Sequence, residues 1–81
     1  MFTVYVLRSQ VSSKIYIGYT SNIEQRLISH NHPQNKGWTK NFQPWELVYR
    51  EVFENKKEAM KREKQLKSYQ GRLYLHGIIQ W

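Results

Sequence analysis

Apolar and polar positions alternate in three short stretches of this chain. "MFTVYVLR" sets Phe2, Val4 and Val6 against Thr3, Tyr5 and Leu7. Period-two alternation carried by β-branched and aromatic residues predicts a strand over residues 2–7. After the polar, turn-like "SQVSS", the run "KIYIGY" alternates again, with Ile15, Ile17 and Tyr19 opposite Tyr16 and Gly18. The two runs predict an antiparallel hairpin. "SNIE" then offers Ser21 as an N-cap with Glu24 three residues on, the signature of a capping box. A helix is therefore expected from about residue 22 to residue 31, with Ile23 and Leu27 turned inward.

"NHPQNKGWTKNFQPW" is rich in Asn, Gly and Pro, has no periodicity and reads as a long loop. A loop of that length in so short a chain is more often functional than idle. "ELVYREVF" predicts a third strand over 46–53, with Leu47, Tyr49 and Glu51 on one face and Val48, Arg50 and Val52 on the other. Asn55 and Glu58 repeat the capping logic and open a second helix through "KKEAMKREKQLKSYQ", which Gly71 is expected to end. Leu75, Ile78 and Ile79 in "RLYLHGIIQW" stand at helical spacing and predict a final short helix, against which Gly77 counts. The order is ββαβα, with this third helix as an addition. No repeat, linker or low-complexity segment interrupts it.

At 81 residues the chain is expected to form one domain, residues 1–81, near the lower size at which a core suffices without staples. It has no cysteine, so neither disulfides nor a thiolate zinc site can help. With 40% hydrophobic and 15% aromatic residues it has large side chains to bury, which excludes a disordered class. No apolar run reaches the roughly 20 residues needed to cross a bilayer, and the N-terminus lacks the layout of a signal peptide. A cytoplasmic protein is the expectation. Thirteen Lys and Arg oppose six acids, a formal net charge of +7, which points to a polyanionic partner, nucleic acid first. All six acids are glutamate. A two-metal nuclease needs several converging carboxylates, so that mechanism does not suit this set.

If the hairpin is right, Tyr5 and Tyr16 share one face of the sheet, either as packed cross-strand aromatics or as phenols lining a site. Gly18 in a strand interior often marks the close approach of a ligand or another backbone. Arg26 and His30 are four residues apart on the first helix, stacked one turn from each other, and could grip a phosphate. Glu63 falls between Ala59, Met60 and Leu66 on one arc of the second helix. A carboxylate in an apolar stripe must be paired, protonated or bound to a metal, and a bridge to Arg or Lys competes here with a metal site. The remaining basic residues of that helix, Lys56, Lys57, Lys61, Arg62, Lys64 and Lys67, form a solvated face, part of which can touch a nucleic-acid backbone.

Thr3-Val4-Tyr5, then Tyr16-Ile17-Gly18, an arginine ten residues further at Arg26, His30 one turn later, and "EAMKREKQLK" with Glu63 make an ordered set. In this set the chain resembles the GIY-YIG nuclease superfamily, and is most similar to its small members related to the nuclease domain at the N-terminus of UvrC. The likeness covers nearly the whole chain. The first motif reads TVY rather than GIY, keeping the tyrosine and losing the glycine.

The resemblance implies an α+β fold, a three-stranded antiparallel sheet flanked by helices, with the site on one sheet face. It implies a metal-dependent endonuclease that hydrolyses phosphodiester bonds in DNA. One glutamate, Glu63, would hold a hydrated Mg²⁺ or Mn²⁺, which binds readily through one carboxylate plus substrate oxygens. Tyr5 is the implied general base, provided that cationic neighbours such as Arg26 favour its phenolate. Tyr16 would orient water or phosphate, Arg26 would clamp the transition state, and His30 would contact phosphate or relay a proton. Arg8, Lys14, Lys40, Lys61, Arg62 and Lys67 are the candidate nucleic-acid contacts, and a protein partner could supply specificity. Two other readings compete. One is a nucleic-acid-binding module of the same fold without catalysis. The other is an interaction domain that exposes Trp38, Phe42 and Trp45, whose alternative use is to cover the core.

Overall fold

A computed structural model of the chain describes residues 1–35 and 37–79. The elements are strands β1 (Phe2–Ser9) and β2 (Ile15–Thr20), helix α1 (Ile23–Asn31), a 3-10 helix (Trp38–Phe42), strand β3 (Trp45–Phe53) and helices α2 (Lys56–Lys67) and α3 (Tyr69–Ile78). The strands form one antiparallel sheet in the order β2-β1-β3, so β1, where the tyrosine motif begins, is central. Tyr5 pairs with Gly18 on one side and Arg50 on the other. No described helix is long and apolar enough to cross a membrane.

Alternation along β1 divides the interior in two. Val4 and Val6 join Ile17, Ala59, Leu66, Leu75 and Ile79 beneath α2 and α3. Tyr5 and Leu7 join Trp45 on the other face, where Ile23 and Leu27 of α1 pack against them as their spacing predicts. The third strand departs from strict alternation. Val6 pairs with Tyr49 but Leu7 pairs with Leu47, so Val48 is an extra residue in the ladder. Such a bulge turns the side chains beyond it to the opposite face. Leu47 therefore packs with Tyr5 and Tyr49 with Val4, although simple alternation puts them together.

Helix boundaries differ from expectation for local reasons. Asn22, not Ser21, caps α1, its side chain accepting from Gln25 N (3.1 Å), because Thr20 Oγ1 takes the Asn22 N–H and holds that residue extended. Asn55 caps α2 as expected, accepting from Glu58 N. Ser68, rather than Gly71, ends α2. Its hydroxyl donates to Gln65 O (2.5 Å) and accepts from Gly71 N (3.2 Å), closing one helix and opening the next. Gly71 serves close approach instead: a Cβ there would lie 2.1 Å from Gln65 O and 2.5 Å from Leu66 Cα. Leu75 of α3 and Ile79, its C-cap, are buried while Ile78 is exposed, and Met60 of α2 is likewise exposed.

The loop aromatics mostly cover the core. Trp45 is buried and its Nε1–H donates to Thr39 O (2.7 Å). Phe42 packs against the same cluster. Trp38 lies on both, with ring centroids 4.9 Å from Phe42 and 5.9 Å from Trp45, and keeps about half its surface in solvent.

Candidate active site

The hairpin and the last turn of α1 bring two phenols and an imidazole together. Because Tyr5 pairs with Gly18, the Tyr5 ring lies where a side chain at 18 would stand. A Cβ on Gly18 would meet the Tyr5 hydroxyl at 2.7 Å and a Tyr16 ring carbon at 3.0 Å. The glycine is required by this close approach, since its absent side chain is the space the phenol fills. Tyr5 and Tyr16 stack at 6.1 Å, and His30 tilts against Tyr16 at 4.6 Å. Tyr5 Oη lies 3.1 Å from His30 Nε2.

An open cavity of ≈ 420 Å³ covers this group. Tyr5, Tyr16, Gly18, Arg26 and Glu63 all line it, with Lys56, Thr20 and Ser21 at its rim. The four residues singled out from sequence as base, orienting phenol, clamp and metal ligand thus converge, delivered by β1, β2, α1 and α2. Glu63 is the one carboxylate of the lining. Its side chain is 19% exposed, and Lys67 of the next turn approaches it at 3.3 Å. Both possibilities read from the sequence therefore meet in one residue, which has a lysine partner and also faces the cavity.

His30 differs most from its sequence reading. Spacing puts it on one helix face with Arg26; Arg26 is exposed and His30 is buried. The loop after α1 folds back over it, and Thr39 Oγ1 lies 3.1 Å from His30 Nδ1. Burial, and then the nearby Arg26 guanidinium, hold its pKa below the ordinary value, which favours the neutral imidazole. Burial also pushes the Tyr5 phenol above its ordinary value, helped by Tyr16 and Glu63 and outweighing the opposing pull of Arg26. Arg26 does pull toward the phenolate, as expected, but its effect is smaller than that of burial, because packing removes the hydroxyl from water.

The candidate backbone contacts divide. Lys14, Lys40 and Lys61 are exposed. Arg8 pairs with Glu46, and Lys67 with Glu63. Arg62 is bound by Glu51 at 3.0 Å and stacks over Tyr74 at 5.4 Å, outside the cavity. Lys56 belongs by sequence to the basic face of α2 and is not among the candidate site residues, yet it lines the cavity. Its position directly after the Asn55 cap, on the turn entering the helix that carries Glu63, is the signal that could have found it.

Residues 1–74 match the family model of the GIY-YIG catalytic domain. The chain belongs to the GIY-YIG family. This is a nuclease family that acts on nucleic acid and generally uses divalent metals. Among GIY-YIG relatives, the UPF0213 protein SSP2268 of Staphylococcus saprophyticus is 41% identical over 66 residues, 82% of this chain and 79% of that protein. UPF0213 protein SH2523 of Staphylococcus haemolyticus is also 41% identical over the same shares. The solution NMR structure of UPF0213 protein BH0048 from Bacillus halodurans aligns with a TM-score of 0.57 and 29% identity, covering 95% of this chain and 84% of that one. These relatives are small single-domain members of the GIY-YIG family, and this chain has three antiparallel strands with flanking helices.

Proposed function

We propose that this protein is an endonuclease that hydrolyses phosphodiester bonds in DNA, using one divalent cation held by Glu63. The observation that carries the reading is the convergence of Tyr5, Tyr16, Arg26 and Glu63 on one open, cation-rimmed cavity. The donor set suits a hydrated Mg²⁺ or Mn²⁺. Such an ion needs only one or two protein carboxylates, its remaining positions going to water and substrate oxygens, and the described residues contain no cluster of three or more His, Asp or Glu that would suit another metal. Bound there, the ion supplies Lewis-acid polarisation of the scissile phosphate and charge stabilisation of the leaving 3′ oxygen.

The protein's own groups do the rest. Arg26, exposed at the cavity wall, clamps the phosphate. Tyr16 orients the attacking water. Tyr5 is neutral at rest, so it takes a proton from that water only as it gives its own to His30 Nε2, 3.1 Å away. The neutral imidazole accepts it and becomes imidazolium. The hydroxide so formed adds to phosphorus, the P–O3′ bond breaks, and the 3′ oxygen is protonated from solvent.

The experiment is nicking of a branched or flap DNA with Mg²⁺ or Mn²⁺. Glu63→Gln keeps the side-chain volume but cannot offer a charged ligand. Cleavage is expected to fall by roughly a thousandfold, the several kcal/mol a metal contributes, with DNA binding nearly intact. Wild-type-like cutting by folded Glu63→Gln protein would refute the single-ion scheme. A wild type that binds DNA without cutting it would make the chain a binding module.

A further inference from the structure

Behind His30, away from the cavity, the loop that follows α1 builds a second hydrogen-bonded layer that the catalytic reading leaves unused. We propose that Thr39, braced by Asn35, is a positioning residue that fixes His30 as the Nδ1–H tautomer and thereby keeps Nε2 open to the Tyr5 proton. The inference rests on the reading of Tyr5 as base.

The directions of the hydrogen bonds carry it. A backbone N–H can only donate, and the Gly37 N–H donates to Asn35 Oδ1 at 2.8 Å. That contact fixes which end of the Asn35 amide is oxygen, leaving Nδ2–H to donate to Thr39 Oγ1 at 2.7 Å. The Thr39 oxygen keeps its second lone pair and its own hydroxyl proton, and it lies 3.1 Å from His30 Nδ1, with the roles across that contact set by the tautomer of the ring. At the far side of the ring the neutral phenol of Tyr5 has a proton to give, and Nε2 stands in reach. Donation by Tyr5 requires a bare Nε2, and in a neutral imidazole the ring proton must then sit on Nδ1, pointing at Thr39. The chain of donors runs from both ends toward the threonine oxygen.

Thr39 is also fixed in place. It is 4% exposed, and its carbonyl accepts the buried Trp45 Nε1–H at 2.7 Å. The 3-10 helix is thereby tied to the core on one side and to His30 on the other. The groups facing His30 are Tyr5 from β1, Tyr16 from β2, Arg26 from its own helix and Thr39 from the 3-10 helix. Of these, only Thr39 meets Nδ1.

The test reads the tautomer directly, by long-range ¹H–¹⁵N correlation of the imidazole rings in the ¹⁵N-labelled full chain, at a pH where His30 is neutral. The exposed His32 and His76 serve as internal references. Wild type is expected to show Nδ1 protonated and Nε2 unprotonated. Thr39→Val, which keeps the shape and removes the acceptor, should move His30 toward the Nε2–H form and cut the nicking rate by roughly tenfold to a hundredfold, the usual cost of losing a partner that orients a histidine. Thr39→Ser should restore both. An Nε2–H wild type, or a Thr39→Val protein with unchanged His30 nitrogen shifts, would overturn the proposal. Should Thr39→Val fail to fold, the wild-type spectrum decides on its own, and Asn35→Ala, which leaves Thr39 in place, is expected to give a smaller shift in the same direction. The tautomer needs no turnover to be read. A chain that never cuts DNA but loses Nδ1–H in Thr39→Val refutes the nuclease reading alone. A chain that cuts while His30 ignores Thr39→Val refutes the positioning role alone.

Discussion

The two faces of the sheet are built from adjacent residues of the same strand and are chemically opposite. Beneath α2 and α3, Val4 and Val6 meet Ala59, Leu66 and Leu75, all without solvent exposure. Beneath α1 and the 3-10 helix, Tyr5 shares its side with His30 and Thr39, buried polar groups joined by hydrogen bonds. Burying polar atoms yields little net stability even when they are paired, and each costs about 1–3 kcal/mol if left unpaired. The aliphatic face therefore holds the fold, while the polar face adds little stability and carries the groups to which the proposed chemistry is assigned. Period-two alternation is what lets one strand do both.

The contrast is sharpest where variants separate stability from chemistry. Leu66→Ala, on the aliphatic face, should cost about 2–5 kcal/mol in a denaturation curve while leaving the nicking rate of the folded fraction close to wild type. A large rate loss in folded protein would mean the faces are not independent. Gly18→Ala should do the reverse. The added methyl displaces the Tyr5 and Tyr16 rings, and a misplacement of about 1 Å costs on the order of a hundredfold in rate. Turnover should fall far more than the denaturation midpoint does.

Acidity offers a third separation. The folded pKa of His30 is depressed below its ordinary 6.5, so between the two values the unfolded chain binds the extra proton. Its contribution to stability is complete above about 6.5 and is lost as pH falls through the folded value. Glu46 and Glu51 are also depressed. The Arg8 and Gln10 hydrogen bonds lower Glu46, while for Glu51 burial is overcome by Arg62 and Tyr49, and both act below their ordinary 4.5. The loss that begins as pH falls below about 6.5 should therefore vanish in His30→Gln, while the loss from Glu46 and Glu51 below their ordinary 4.5 remains. The nicking rate should fall only at lower pH than this stability loss begins, because folded His30 charges at its depressed value, and a protonated imidazole cannot accept from Tyr5. A His30→Gln stability curve with the wild-type slope above pH 4.5 would dismiss the buried neutral histidine.

The smallest effect concerns the cations. Lys14→Ala, Lys40→Ala and Lys61→Ala should each reduce the salt dependence of DNA binding by at most ~0.9 in the logarithmic slope. Arg62→Ala, whose guanidinium is committed to Glu51 and Tyr74, should instead lower stability and leave that slope alone. A slope unaffected by any of the three lysines would move the DNA path off their surfaces.

Much of this was legible in the sequence, and the failures have physical causes. Strands β1 and β2 follow from alternation, and α1 and α2 from capping residues and apolar spacing, because those signals are local, although Asn22 caps α1 where Ser21 was expected. Tyr5, Tyr16, Arg26 and Glu63 were found through an ordered family pattern, and the structure brings them to one cavity. What lay hidden depends on distant residues. The burial of His30 is imposed by Thr39, nine residues later, and nothing in the helix itself announces that cover. The bulge at Val48 belongs to the pairing with β1 and leaves no mark in "ELVYREVF". Gly71 looks like a helix terminator in one dimension and is a contact point between two helices in three.

The central place of β1 also has a consequence for synthesis. Its eight residues are registered against β3, from Phe2 with Phe53 to Ser9 with Trp45, so the first strand made finds its second neighbour only after more than half the chain has been translated. Pairing across such separation is slow to close. The hairpin with β2 can form early, but Tyr5 then lacks the flanking strand, and the 3-10 helix that covers His30 is also still to come. A nascent or truncated chain ending before β3 thus carries the motif tyrosines without the contacts that bury Tyr5 and His30. On the proposed mechanism, cleavage requires the completed sheet.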